Sequence, residues 1–179
     1  MSRDTYKIYE KEYPYFITLT IVGWLPLFSS PKITKIIIDS LHYRQNISKE
    51  FKIYAFVIME NHLHLILKGD DLSKSITSLK SYTAKTIVEY YKVHKHLDTL
   101  SKLEFYKKKF KNDQKYQFWQ DGYHPVQMSN RDIMLQKIEY IHNNPIKRGY
   151  VSVPFHWINS SASNYNELDD NALDVVCNW

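Results

Sequence analysis

The order of patterned segments along the 179 residues predicts an α+β fold, a central antiparallel sheet with helices gathered on one face. Three observations lead there. β-Branched and aromatic residues alternate in "YFITLTIVG" (Tyr15 to Gly23), as in a half-buried strand. Two apolar runs, "FKIYAFVIM" and "HLHLIL", follow one another across only Glu60 and Asn61, a turn-compatible pair that makes them antiparallel neighbours. Around these strands, apolar residues recur at helical spacing.

Taken in order, the Tyr15 strand gives way to a connection marked by Pro26 and Pro31. From Lys32, the residues Ile33, Ile36, Ile37, Leu41 and Ile47 lie near one stripe, which predicts a helix that ends before Phe51. The adjacent strands come next. Asp70 or Asp71, with Ser73, caps a second helix through "KSITSLKSYTAKTIVEYYKVHKHL", with Ile76, Leu79, Ile87 and Tyr90 or Tyr91 on its buried side. The lysine-rich stretch from Lys102 to Lys115 reads as a solvated or mobile insertion. "YQFWQDGYHPVQM" is an aromatic strand interrupted at Asp121-Gly122, and Asn130 or Asp132 caps a third helix through Asn144, stopped by Pro145. The sum, β-α-β-β-α-β-α, is a ferredoxin-like sandwich plan. One domain is expected, a core over about residues 13–150 and a C-terminal extension over 151–179.

Composition narrows the function classes. The single cysteine, Cys177, excludes an intrachain disulfide scaffold and a cysteine zinc site. No charged-then-apolar leader opens the chain and apolar runs such as Phe16 to Val22 are too short to span a bilayer, so a cytoplasmic protein with no membrane partner is expected. All Lys and Arg lie at or before Arg148, which gives residues 1–148 a net charge of +9 and the tail −4. A basic body in a chain with 15 tyrosines fits a nucleic-acid partner, which asks for phosphate contacts and stacking faces; a basic surface with no specific partner gives the same charge. The acidic tail is expected to dock over the basic groove.

"VIMENHLHLIL" sets His62 and His64 on alternate positions of an apolar strand, so both rings project from one face and Leu63 from the other. That is either polar decoration or two arms of a metal site. Two imidazoles alone rarely hold a divalent ion, so a third ligand must come from elsewhere. In "IEYIHNNPIKRGYV", Tyr140 and Asn144 are four apart and share a helical face. An amide oxygen is a legitimate ligand for a hard cation and a phenol beside it is a possible nucleophile; equally, Tyr140 suits an amphipathic helix and Asn144 a cap.

The ordered combination of "MENHLHLIL", "FWQDGYH" and "YIHNNPIKRG" resembles the HUH-type tyrosine transposases of insertion sequences, and more closely the REP-associated tyrosine transposases. The resemblance runs from the Tyr15 strand to "WINSSASNY" (Trp157 to Tyr165), which is similar to a Trp-x-x-Ser-Ser-x-x-x-Tyr element frequent in those relatives. Glu60 departs from the family, where a proline is common, and Asn144 stands where related enzymes often carry glutamine.

The resemblance implies an enzyme that cleaves and joins hairpin-bearing single-stranded DNA through a 5′-phosphotyrosine. By position, His62 and His64 would bind Mg²⁺ or Mn²⁺, Tyr140 would be the nucleophile and Asn144 the third metal ligand. Tyr82, amid Lys80, Ser81, Thr83 and Lys85, is a rival nucleophile ranked second because it lacks the asparagine at i+4. Candidate DNA contacts are Lys80 and Lys85 on the second helix, Lys147 and Arg148 after the third, the lysines between Lys107 and Lys115, and the aromatic faces of Trp119 and Tyr123. The long tail favours a monomer, as in the REP-associated relatives, over a dimer. Two other readings are a domesticated protein that binds structured single strands without cutting, and a nuclease in which water attacks and Tyr140 is structural.

Overall fold

The computed structural model describes residues 8, 10–109, 113–169 and 171–179. Its sheet has four antiparallel strands in the order β2-β3-β1-β4, where β1 is Tyr15–Thr20, β2 Lys52–Ile58, β3 His62–Lys68 and β4 Val126–Gln127. Helix α1 (Pro31–His42) links β1 to β2 and opens with Pro31, whose fixed φ suits the first helical position. Helix α2 (Leu72–Val93) starts at Asp71, whose carboxylate accepts the Lys74 backbone N–H. The α+β class and the antiparallel sheet are as the sequence predicts.

Strand alternation sorts the interior into two cores. Tyr15, Ile17 and Leu19 of β1 and Leu63, Leu65 and Leu67 of β3 face α1 and α2, packing on Ile33, Ile37, Ile76, Leu79 and Ile87. Phe16 and Ile66 face the other way, with Tyr54, Ala55 and Val57 of β2. That second face is covered by helix α4 (Arg131–Lys147), through Met134, Ile138 and Ile141. So α1 and α2 gather on one face as expected, while α4 lies on the opposite one. The cause is that the sheet's second face is itself apolar outside the histidine positions and requires cover.

Three local departures have clear causes. β1 ends at Thr20 rather than at Gly23 because Gly23 and Trp24 both turn to positive φ (61° and 54°); a Cβ at Gly23 would run into the Tyr106 ring. The second helix ends at Val93, Lys95 takes positive φ, and part of the lysine-rich stretch forms helix α3 (Leu97–Phe105). Leu100 and Leu103 of α3 enter the first core, a gain of roughly 3–6 kcal/mol that exceeds the roughly 1–2 kcal/mol for one left-handed residue. Residues 110–112 of that stretch lie outside the described residues.

Nor does Pro145 stop α4. It is buried one turn from the helix end, and the stop is Gly149 at φ 73°: its N–H bonds the Ile146 carbonyl (2.8 Å) and Tyr150 N–H bonds the Pro145 carbonyl (2.9 Å), a Schellman closure. The aromatic edge segment is split as expected. Trp119 pairs with Ile21 and β4 with Tyr15 and Phe16, on either side of Gly122 at φ 77°.

The C-terminal extension is sewn to β2 at every second residue. Trp157 Nε1 donates to the Ile58 carbonyl (3.0 Å), the Ser161 backbone N–H to the Phe56 carbonyl (3.0 Å) and the Tyr165 hydroxyl to the Tyr54 carbonyl (3.0 Å). Ser161 Oγ also shares a 2.9 Å hydrogen bond with His142 of α4. Further on, Val176 N–H bonds the Ile53 carbonyl and Leu173 enters the first core. This places the tail along the outer edge of β2. Asp174, whose carbonyl accepts from Gln45, lies there too, in a groove it shares with Lys49, Lys52 and Lys68; Asp170 lies outside the described residues.

Burial holds His142 well below the usual histidine range, at about 4. An unfolded chain binds that proton near pH 6.5 and the folded one does not, so stability is complete above 6.5 and is lost as pH falls toward 4. Urea titrations are expected to show a loss of up to about 3 kcal/mol between pH 7 and 4, part of which disappears in His142→Gln.

Candidate active site

On the α4 side of the sheet, β3 presents His62 and His64 with ring centroids 4.7 Å apart. Each ring is held through Nδ1. His62 Nδ1 donates to Asn61 Oδ1 at 2.7 Å, and His64 Nδ1 pairs with Thr18 Oγ1, its cross-strand neighbour on β1, at 2.8 Å. The bond to Asn61 leaves His62 Nε2 as the acceptor nitrogen, and His64 Nε2 makes no hydrogen bond among the described residues, so both can face a ligand. Phe16 stacks on His64 at 5.1 Å and 28°.

Both imidazoles are neutral at pH 7. Burial, then the neighbouring His62 and the Lys137 ammonium, lower His64 to about 3. Burial also lowers His62, against an opposing pull from the Glu60 carboxylate. Neutral imidazole is the ligating form.

Helix α4 brings Tyr140 onto this pair. Its ring is 5.3 Å from that of His64 and 6.0 Å from that of Phe16, edge-on to both, and the side chain is 37% exposed. Two ammonium groups flank it, Lys137 at 5.4 Å and Lys147 at 5.3 Å from the ring centroid. Lys137 did not stand out in sequence, although its i−3 spacing from Tyr140 is the signal that would find it. Asn144 lies one turn on, between the contact of Tyr140 with His64 and that of Arg148 with Glu60 (3.9 Å). Its Nδ2 donates to the Tyr140 carbonyl at 2.9 Å, which leaves Oδ1 as an acceptor. Glu60 Oε2 is buried without a hydrogen-bond partner among the described residues.

The donor chemistry fits a divalent cation. Two neutral imidazole nitrogens and one amide oxygen could hold a divalent cation, the imidazoles favouring a transition ion such as Mn²⁺ and the amide oxygen suiting Mn²⁺ or Mg²⁺. Among the described residues no group of three or more His, Cys, Asp or Glu gathers to hold a metal, and Asn144 is the neutral oxygen donor on the Tyr140 face of α4.

Of the other candidates, Lys147 and Arg148 lie at this site. Lys80, Lys85, Trp119 and Tyr123 line a groove of about 730 Å³ between α2 and residues 114–123, on the α2 side of the sheet. Two of these also have structural duties. Trp119 packs in the first core, 5% exposed, with its Nε1 donating to Thr83 Oγ1 (3.0 Å). Lys80 Nζ donates to the Gln120 and Gly122 carbonyls, at 2.8 Å each, and acts as a strut for the edge segment. Lys85 is exposed; Tyr123 is half-buried, its hydroxyl donating to Ser73 Oγ. Tyr82, 55% exposed, is on α2 and so on the sheet side opposite the histidines. Sequence reading also missed Trp24, an exposed indole edge-on to His62 at 6.3 Å.

No helix among the described residues is long and apolar enough to cross a membrane. No curated protein matches this chain. Six chains of solved structures do. One is a REP-associated tyrosine transposase bound to a REP hairpin, which is 21% identical and superposes with a TM-score of 0.64 over 93% of this chain and 86% of its own. At that identity the likeness shows the fold. The family model described as "Transposase IS200 like" matches residues 32–144, a span that begins in α1 and holds His62, His64, Tyr140 and Asn144. That match covers well over half of the 179 residues, and the chain belongs to the IS200-like transposase family.

Proposed function

We propose that this chain cleaves and rejoins hairpin-bearing single-stranded DNA, with Tyr140 as nucleophile and His62, His64 and Asn144 as the holders of Mg²⁺ or Mn²⁺. The observation that carries the reading is the contact of the exposed Tyr140 ring with His64, whose Nε2 is left open beside that of His62. The solved REP-hairpin complex supports the choice of hairpin DNA.

The chemistry follows from the residues. Tyr140 Oη attacks a DNA phosphorus; the Oη–P bond forms, the P–O3′ bond breaks, and the phenolic proton is given up as the 3′ oxygen leaves and takes a proton. The product is a 5′-phosphotyrosine and a free 3′-OH. Because the phosphodiester count is unchanged, a second 3′-OH can attack the phosphotyrosine and release Tyr140 without ATP. A divalent cation bound here supplies charge withdrawal from the nonbridging and leaving oxygens. Lys137 and Lys147 place positive charge where the phenol becomes anionic and where the phosphate arrives, the preorganised electrostatics that such a step needs. Lys147, Arg148, Lys85 and Tyr123 remain the proposed outer DNA contacts.

A monomer is the proposed working form, since the extension hydrogen-bonds along the outer edge of β2 and the other edge strand, β4, has only two residues. Light scattering is expected to give the mass of one chain; twice that mass would contradict it.

The test is incubation of labelled hairpin oligonucleotides, taken from DNA flanking the gene, with the protein and Mn²⁺ or Mg²⁺, followed by denaturing gels. A metal-dependent covalent protein–DNA band is expected. Binding without the band would select a binding module, and cleavage without it would make water the nucleophile.

A further inference from the structure

Trp24 has no evident duty in the fold. Its indole is 58% exposed, unlike the buried Trp119, and sits edge-on to His62 with centroids 6.3 Å apart. Its backbone is at φ 54°, a conformation that glycine or asparagine takes easily and a bulky side chain takes at a cost. Its N–H bonds the Ile21 carbonyl at 3.1 Å, and Asn61 holds its other side. The Asn61 Nδ2 donates to the Trp24 carbonyl at 3.4 Å, while Asn61 Oδ1 accepts from His62 Nδ1 at 2.7 Å. One amide therefore ties the Trp24 backbone to a proposed metal ligand, and the indole lies edge-on to that ligand, beside the place where a phosphate would be held.

We infer that Trp24 is a stacking platform for an unpaired nucleobase of the DNA strand next to the scissile phosphate, an inference that rests on the reading of the site as a single-strand DNA enzyme. Every base offers a π-face, so this contact fixes the strand beside the metal site without selecting sequence. An unpaired base suits it better than a paired one, because the indole lies at the histidines rather than in the α2 groove, and only an extruded base leaves both faces free to stack. The strained backbone is then a feature kept for the ring it presents.

The experiment reads binding, without metal and in the Tyr140→Phe protein, to hairpin oligonucleotides carrying 2-aminopurine at successive positions of the unpaired flank. Quenching is expected at one or two adjacent positions. Trp24→Gly should abolish that quenching and weaken binding at least about fivefold, while Trp24→Phe keeps most of it. Because glycine suits the positive φ, Trp24→Gly should be as stable as the parent or more so, which separates a lost contact from a damaged fold. An abasic site at the quenched position should weaken the parent to the same degree and weaken Trp24→Gly no further. Unchanged affinity and quenching in Trp24→Gly, or an abasic site that weakens Trp24→Gly as much as it weakens the parent, would overturn the inference. Absence of the covalent band in wild type with quenching intact would overturn the transferase reading alone, and a parent that binds none of these strands would overturn both.

Discussion

Replacing Tyr140 with phenylalanine is expected to abolish the covalent protein–DNA band and to cut strand cleavage on the order of 10³-fold or more, as removal of a nucleophile does. The substitution deletes one oxygen. The ring would keep its edge contacts with Phe16 and His64 and its place between the Lys137 and Lys147 ammonium groups. Since Tyr140 is 37% exposed, the expected change in stability is below about 1 kcal/mol, and DNA affinity should stay within about threefold. Tyr82→Phe is the matching control. Tyr82 is on the other side of the sheet, and its loss should leave the band intact. A residual band in Tyr140→Phe that vanished in Tyr82→Phe would reverse the assignment.

The second large effect is expected at His64. His64→Gln keeps a polar group near Thr18 Oγ1 but removes Nε2, the proposed ligand atom, and it deletes the ring on which Phe16 stacks. Losing a direct ligand should weaken Mn²⁺ binding more than the 10–100-fold typical of an outer-shell change, so a loss above about 100-fold is expected by electron paramagnetic resonance titration. The covalent band should fall with metal occupancy and return in part at high Mn²⁺. The fold has its own stake in this residue, which is 6% exposed in the second core, and a stability loss of about 1–3 kcal/mol is expected alongside. Binding of Mn²⁺ as tight as in the parent would remove His64 from the ligand set.

The histidine pair was legible because period-two alternation is a local rule: His62 and His64 had to share a face, and β3 keeps them on one. The Tyr140–Asn144 spacing was legible for the same reason at helical period. What sequence did not reveal is where that helix packs. The face that α4 covers is decided by which side of the sheet is left apolar after α1 and α2 have docked, a property of the whole chain. The same limit explains Trp119 and Lys80. Their residue types suit DNA, but burial against Thr83 and capture by two carbonyls are tertiary facts. Pro145 misled as a stop because a proline in the last turn forfeits little, and Gly149 closes the helix instead. Trp24 and Lys137 carried no motif of their own; one is 38 residues from His62 in sequence and meets it through a ring contact and Asn61, both tertiary.

The most direct test of the central claim is to digest the covalent adduct with nuclease and trypsin and sequence the nucleotide-bearing peptide by mass spectrometry. Cleavage after Lys137 and Lys147 isolates residues 138–147, with Tyr140 as its only tyrosine. The account predicts a nucleotide 5′-phosphate on Tyr140, formed only with Mg²⁺ or Mn²⁺ present. The modification on any other peptide, or its formation without metal, would contradict it.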